Sequence, residues 1–325
     1  METISGENNL IVTFRREGGG VTITHLATAD AAVTVPETLC GLPVIALGDH
    51  ALTPERPAPE GEQVRISCGA GWAETPMDNK NLAEVALPRT LQTVGDYAFY
   101  NCTELTRLRL FDTTENWGGS VLMNCHAFHT IALQKEKPRS RTLHYFADEL
   151  SCELDVTLTA PDGTAGRFLF PEYQESYEEN SPAHHFDYQI FGAGYPYHHC
   201  FRDREFFPAD YDALWDKFLR TEHDALCALR LAWYRLHSRP LPEPSAAQRY
   251  LAYLTANAPD VLHWLIENRD GEGLAWFLKT AQIEQSALRG ACGEAREKQE
   301  PGLQVLLLEA LHRRFPSGAE QTFDL

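Results

Sequence analysis

The chain matches itself at an offset of 23 residues, and no other feature restricts its fold as strongly. Val94–Cys102 lies on Trp117–Cys125, so Gly95 falls on Gly118, Ala98 on Val121, Phe99 on Leu122, Asn101 on Asn124 and Cys102 on Cys125. The offset continues into Leu105/Phe128, Leu108/Ile131 and Leu110/Leu133. A unit this short cannot bury its own apolar face, so copies must stack and share one core.

Each unit has three parts. An alternating run such as Leu105-Thr106-Arg107-Leu108-Arg109-Leu110 sends Leu108 and Leu110 to one face and the arginines to the other, as a half-buried strand does. This places Leu87, Leu110 and Leu133 in one inward column. A polar turn follows, and a small apolar segment, Ala98-Phe99 or Val121-Leu122, closes the coil behind the strand. Asn101-Cys102 and Asn124-Cys125 stand at the next bend, where Asn bonds main-chain groups that an irregular coil leaves over and Cys packs as a small hydrophobe. An upstream copy runs from Val33-Thr34-Val35-Pro36 to Leu52, with Gly48-Asp49-His50-Ala51-Leu52 on Gly95–Phe99.

These units resemble the BspA-like class of leucine-rich repeats, which read as apolar strand, Pro, an apolar residue before Gly-Asp-x-Ala-Phe, then Asn-Cys and Leu. Val85-Ala86-Leu87-Pro88 through Leu105 fits that wording almost throughout. The first copy lacks Asn-Cys after Leu52, and the last has Trp117 and Gly119 where Val and Asp are expected. The resemblance covers Leu10 to Leu133. It implies a solenoid that binds other macromolecules through its exposed strand face, and it brings no catalytic residues. On that face Arg107 and Arg109 stand beside Glu84 and Ala86 one unit earlier and Thr130 and Ala132 one unit later. Arg107, Arg109 and Glu84 are therefore the candidate contact residues for a protein partner.

A chain of 325 residues is long enough for two cores. Its net charge of −18 argues against nucleic acid or an anionic membrane as partner, because both reward clustered Lys and Arg. Met1–Asn9 is polar, without the apolar run of a signal peptide, and no apolar run approaches the roughly 18 residues of a membrane span. The eight cysteines include no Cys-x-x-Cys, and two occupy repeat positions, so the expectation is reduced thiols in a cytoplasmic protein. Many BspA-like proteins are exported, and a cell-surface adhesin is an alternative that export would establish.

Leu10–Phe14 and Val21–Thr24, joined at Gly18-Gly19-Gly20, read as a hairpin capping the first coil. Thr53–Lys80 reads as a Pro- and Gly-rich insertion in which Gln63–Cys68 supplies a further strand. The basic run Gln134–Arg141 marks a boundary. Beyond it Cys152–Thr159 and Gly166–Phe170 form strands about Pro161-Asp162-Gly163, and Phe186–Phe191 forms a third. From Phe207 the spacing is helical: Asp210–Thr221, Ala225–Leu236, Ala246–Ala256 with a Ser245-x-x-Gln248 capping box, Asp260–Glu267, Glu272–Thr280, Gln285–Gln299 and Leu303–Phe315. The last four resemble ankyrin-type helical hairpins. The expected fold is α+β: a short leucine-rich-repeat solenoid (1–140), a β module (141–206) and an all-α helical-repeat domain (207–325).

The chief rival is a metal-binding or hydrolytic enzyme with its site near His184–Cys200. His184, His185, His198, His199 and Cys200 carry metal-ligand chemistry, with His184, His198 and Cys200 as the candidate ligands. Neighbouring strand residues face opposite sides, so each His pair offers one ligand to a common site and a fourth ligand is missing. The acidic, Tyr-interleaved run Pro171–Asn180 reads as a solvated loop edge rather than a catalytic carboxylate pair. Cys125 with His126 and His129 reads as repeat packing, and no Gly-x-Ser-x-Gly, His-Glu-x-x-His or phosphate-loop motif occurs. No cofactor is expected.

Overall fold

The computed structural model describes residues 2–69, 76–180 and 185–316. It divides into two compact units, Met1–Asp224 with His237–Pro240, and Ala225–Leu236 with Leu241–Leu325. The first unit opens with β1 (Glu2–Ser5), β2 (Leu10–Glu17), β3 (Gly20–Thr28), β4 (Ala32–Thr34), β5 (Thr38–Leu39), β6 (Leu42–Leu47) and β7 (Glu62–Ser67). The repeats follow as β8 (Glu84–Ala86), β9 (Thr93–Val94), β10 (Arg107–Phe111), β11 (Asn116–Trp117) and β12 (Thr130–Gln134). Next come α1 (Thr142–Glu149), β13 (Leu154–Thr159), β14 (Ala165–Phe170), β15 (Gln174–Asn180), β16 (His185–Phe191), α2 (Tyr195–His198), β17 (Phe201–Arg202), β18 (Glu205–Phe206), α3 (Pro208–Ala213) and α4 (Trp215–Arg220).

Successive repeat strands alternate between two sheets. β4, β8, β10, β12 and β13 stack in parallel in one, and β14 closes it antiparallel to β13. β6, β9 and β11 stack in parallel in the other, which also holds β1, β7, β2 and β3. The register follows the 23-residue offset: Leu108 lies opposite Val85 and Ile131, and Leu110 opposite Leu133. Val85, Leu108, Ile131, Leu87, Leu110 and Leu133 are all buried, as the alternation requires. Phe99, Leu105, Val121, Leu122 and Phe128 fill the space behind them.

The repeat glycines are there because adjacent coils nearly touch. A Cβ on Gly95 would lie 2.5 Å from Asp49 Oδ1 and 2.6 Å from the Asp49 nitrogen, and one on Gly118 would lie 2.5 Å from the Asp96 nitrogen. The aspartates form a ladder along this bend: Asp96 N–H donates to Asp49 Oδ1 at 2.9 Å and Gly119 N–H to Asp96 Oδ1 at 2.8 Å. Gly119 supplies the last N–H donor of that ladder, and no further N–H of the ladder follows for an aspartate at 119 to accept. Asn79 accounts for the missing Asn-Cys of the first copy. It stands 23 residues before Cys102, where the chain rejoins the coil after the insertion, and is 2% exposed. Its amide donates to the Leu26 and Leu52 carbonyls at 2.7 and 3.0 Å, and its oxygen accepts the Thr28 N–H at 2.8 Å. Within the insertion, β7 pairs with β1 and β2, as the strand expected at Gln63–Cys68 implies.

Both edges of the six-stranded sheet are sealed. At β4 the Asn8 amide donates to the Ala32 carbonyl at 2.7 Å and accepts the Thr34 N–H at 2.9 Å, the two bonds a further strand would make. At β14 the Ser238 hydroxyl bonds both main-chain groups of Arg167, Arg239 N–H donates to the Ala165 carbonyl, and the Tyr211 hydroxyl bonds both main-chain groups of Leu169.

Several boundaries differ from the sequence reading. The sheet crosses position 140, because β13 pairs with β12 in continued register, and the compact units divide nearer residue 224 than 206. Helix α1 was not expected. It is held by tertiary contacts: the Tyr145 hydroxyl donates to the Gly118 carbonyl at 2.9 Å and its ring stacks on Trp117 at 5.2 Å. Phe186–Phe191 lies in β16, which pairs with β15 in a separate two-stranded ribbon, so the acidic run is a strand rather than a loop. The helix expected over Asp210–Thr221 breaks at Leu214 into α3 and α4, although Tyr211, Trp215 and Phe218 still share one buried stripe.

The second unit contains α5 (Ala225–His237), α6 (Pro244–Ala256), α7 (Ala258–Glu267), α8 (Gly271–Thr280), α9 (Gln285–Glu297) and α10 (Pro301–Arg314), within a few residues of the expected helices. The capping box does not form: α6 starts at Pro244, and its cap residue Glu243 makes no side-chain bond. Helices α7 and α8 pack on each other, as do α9 and α10, with α7 against α9 and α8 against α10. Val261, Leu265, Leu274, Phe277, Leu288 and Leu307 form their shared core.

Candidate functional site

The strands that bury one face of the parallel sheet present the other in rows. One row reads Ala32, Glu84, Arg107, Thr130 and Asp155, and the next Thr34, Ala86, Arg109, Ala132 and Thr157. Neighbouring strands are about 4.8 Å apart, so the short side chains of Ala86 and Ala132 leave the Arg109 guanidinium standing clear between them. The Arg109 guanidinium makes no hydrogen bond or ion pair among the described residues. Arg107 has a partner, Glu84, at 3.9 Å, with both side chains more than 40% exposed. At the far end of the first row Arg167 Nε donates to Asp155 Oδ1 at 2.7 Å. Sequence reasoning did not include Asp155 or Arg167, because the sheet was expected to end before them. The strand alternation of Leu154–Thr159 was the available signal.

Of the three metal-ligand candidates, the two described, His198 and Cys200, do not form a site. His184 lies outside the described residues. His198 is 1% exposed, and its Nδ1 and Nε2 each lie 3.0 Å from a main-chain carbonyl, those of Ala147 and Pro171. No ring nitrogen is left for a metal. Burial holds the His198 pKa below the ordinary imidazole value, although both carbonyl contacts pull it upward. The Cys200 thiol donates to the Tyr197 carbonyl at 2.9 Å, and burial pushes its pKa up to about 12, far from the thiolate a metal requires. His199 stacks on Tyr195 instead, at 3.9 Å.

Cys102 and Cys125 are packing residues. Their thiols donate to the Leu52 and Phe99 carbonyls at 3.4 and 3.1 Å, and burial pushes Cys125 up to about 12 and Cys102 higher still. His126 and His129 are exposed. In the helical unit, His263, Glu267 and Glu294 converge, and the sequence reading did not single them out. His263 Nδ1 lies 2.7 Å from Glu294, and the Lys298 ammonium bonds Glu267, so the charge a cation would supply is already present. No described helix is long and apolar enough to cross a membrane.

Residues 76–153 match the family model of the BspA type leucine rich repeat region (6 copies). The matched stretch runs from the end of the insertion through β12 to the residue before β13. Two solved structures are similar. A leucine rich repeat protein of T. pallidum is 15% identical, over 38% of this chain and 68% of that one, with a TM-score of 0.24. A leucine rich cell surface protein from Faecalibacterium prausnitzii A2-165 is 20% identical, over 47% of this chain and 41% of that one, with a TM-score of 0.27. No curated protein sequence matches the chain.

Proposed function

We propose that this chain, with its BspA-type repeat region at 76–153, is a non-catalytic binding protein whose short solenoid takes a protein partner on the outward face of its parallel sheet. The observation that carries this reading is Arg109, an exposed cation without a partner, set between two alanines on a flat β surface. A guanidinium left open in this way accepts a carboxylate in bidentate fashion, and arginine concentrates binding energy in interfaces once a partner excludes water. Arg107 and Glu84 flank it with one charge of each sign, which fixes the register of a partner rather than only attracting it.

The helical unit extends the same reading. Two stacked helical pairs are the plan of ankyrin-like repeats, and they offer a second surface for a scaffold. The net charge of −18 favours a protein over nucleic acid or an anionic membrane, and the cysteines favour a reducing, cytoplasmic compartment. The test is affinity capture by the wild-type chain and by Arg107→Ala/Arg109→Ala, with partners identified by mass spectrometry. The double variant should fold normally and lose the partner. Equal recovery by both would remove the interface from this face.

A further inference from the structure

The six-stranded sheet closes both its edges with side chains, whereas the β15–β16 ribbon does not. Among the described residues its two strands pair with each other and with no other strand. A lone two-stranded ribbon is marginal in water, and a free strand edge is a template for a further strand. Tyr177 and Tyr188 lie directly opposite each other on one face, with Ile190 and Glu175 beside them. They are 65% and 53% exposed, and Ile190 is 39% exposed. On the other face Glu178 is opposed to Asp187. Between Arg167 and Arg202 the chain has no lysine or arginine. The ribbon therefore offers strand edges, aromatic faces and carboxylates, and it supplies no cation of its own from these two residue types. At its base a cavity of about 220 Å³ opens beside Ile190, lined by Ala193, Tyr195, Pro196, Leu214 and Phe218.

We propose that the ribbon is a second docking surface, which takes an extended, arginine- or lysine-rich segment of a protein partner as an added strand. Main-chain bonds along the ribbon edge give the segment its extended form. Its cations lie on the face of Tyr177 and Tyr188, over the two rings and beside Glu175, whose carboxylate the Tyr188 hydroxyl also bonds, and the residues that alternate with them turn to the other face. Charge complementarity selects this occupant: a second copy of the chain would bring the same carboxylates to the edge and be repelled.

The probe is a fluorescent peptide of about ten residues alternating arginine and valine, long enough to span one strand, titrated into the full chain by anisotropy. Two controls accompany it, a glutamate–valine peptide and an arginine–valine peptide N-methylated along one edge. The unmethylated basic peptide should bind and both controls should fail. Tyr177→Ala/Tyr188→Ala, which leaves the net charge unchanged, should weaken binding about tenfold, the sum of two modest cation–π contacts. Tyr177→Phe/Tyr188→Phe, which keeps both rings and releases Glu175 from the Tyr188 hydroxyl, should bind at least as tightly as wild type, and Arg107→Ala/Arg109→Ala should bind like wild type, which separates this surface from the sheet face. Absence of binding would overturn the proposal. So would equal binding by the Tyr→Ala variant, which would mean general attraction to an acidic protein, or indifference to N-methylation, which would rule out strand addition. Sedimentation showing self-association abolished by Tyr177→Ala/Tyr188→Ala would assign the surface to a second copy instead.

Discussion

Asn79→Ala tests how the insertion is joined to the repeat. The side chain donates to the Leu26 and Leu52 carbonyls, accepts from Thr28, and is almost fully buried. A hydrogen bond of this kind contributes about 0.5–1.5 kcal/mol net, and leaving its buried main-chain partner unpaired raises the loss, so removing three gives about 3–5 kcal/mol. The backbone adds to this, because Asn79 sits at φ +61°, in the left-handed region, where alanine costs about 1 kcal/mol more than asparagine or glycine. Asn79→Gly loses the same three bonds without that strain and should be about 1 kcal/mol less damaging than Asn79→Ala. Because the chain has two units, a single melting curve would mix them. Hydrogen exchange at the Thr28 amide, which loses its acceptor outright, reads the site directly. Protection there should fall by several orders of magnitude. A change in opening free energy below about 1 kcal/mol, or an order Ala above Gly in stability, would refute the reasoning.

Leu110→Asp places a carboxylate in the buried column with Leu87 and Leu133 and should destabilise the first unit by several kcal/mol; an unchanged melting temperature would mean that the register is wrong. Gly118→Ala should be as damaging as a core deletion although it only adds a methyl, since the Asp96 main chain cannot yield, and circular dichroism melts would show it. Alkylation of the unfolded chain without reductant should label all eight thiols, and in the native chain Cys40 and Cys68 should react well before Cys102 and Cys125. A Cys102–Cys125 cross-link would contradict both this order and the cytoplasmic reading. His25 is buried and its pKa is lowered below 6.5, by burial first and by Arg56 second. The unfolded chain therefore takes up this proton first, so the stability His25 contributes is full above about pH 6.5 and is lost as pH falls toward the folded value. His144 and His198 act in the same direction. Melting temperatures measured across that range should fall with pH, and His25→Gln should make the fall shallower.

The parallel sheet was legible because two periods agree on it. Alternation decides which side of each strand is buried, and the 23-residue offset decides which residues lie opposite each other, so Arg107 and Arg109 could be placed beside Glu84, Ala86, Thr130 and Ala132 before any coordinate was known. What was not legible depends on partners distant in the chain. Helix α1 is short and is fixed by Gly118 and Trp117. The acidic run extends because β16 pairs with it, whereas the start of α6 at Pro244 follows a local rule, proline in the first turn, that the Ser245-x-x-Gln248 pattern obscured. His198 carried metal-ligand chemistry in the sequence, yet Ala147 and Pro171, 51 and 27 residues away, occupy both its nitrogens. The faces of the ribbon were half visible, as tyrosines among glutamates, without the pairing that aligns Tyr177 with Tyr188.

The sealed edges of the six-stranded sheet also govern how this protein can change in length. Asn8 occupies one border and Ser238, Arg239 and Tyr211 the other, so growth by accretion at either end would require displacing polar groups that already have their bonds. Lengthening is open only in the interior. An inserted segment of 23 residues, between Cys102 and Cys125 for instance, would pass the Asp ladder and the Leu column on in phase. A segment of another length must take up the difference in a bend, as the step from Thr130 to Asp155 and the insertion between Ala32 and Glu84 do. A tandem duplication of one coil would therefore widen the face around Arg109 without disturbing either border.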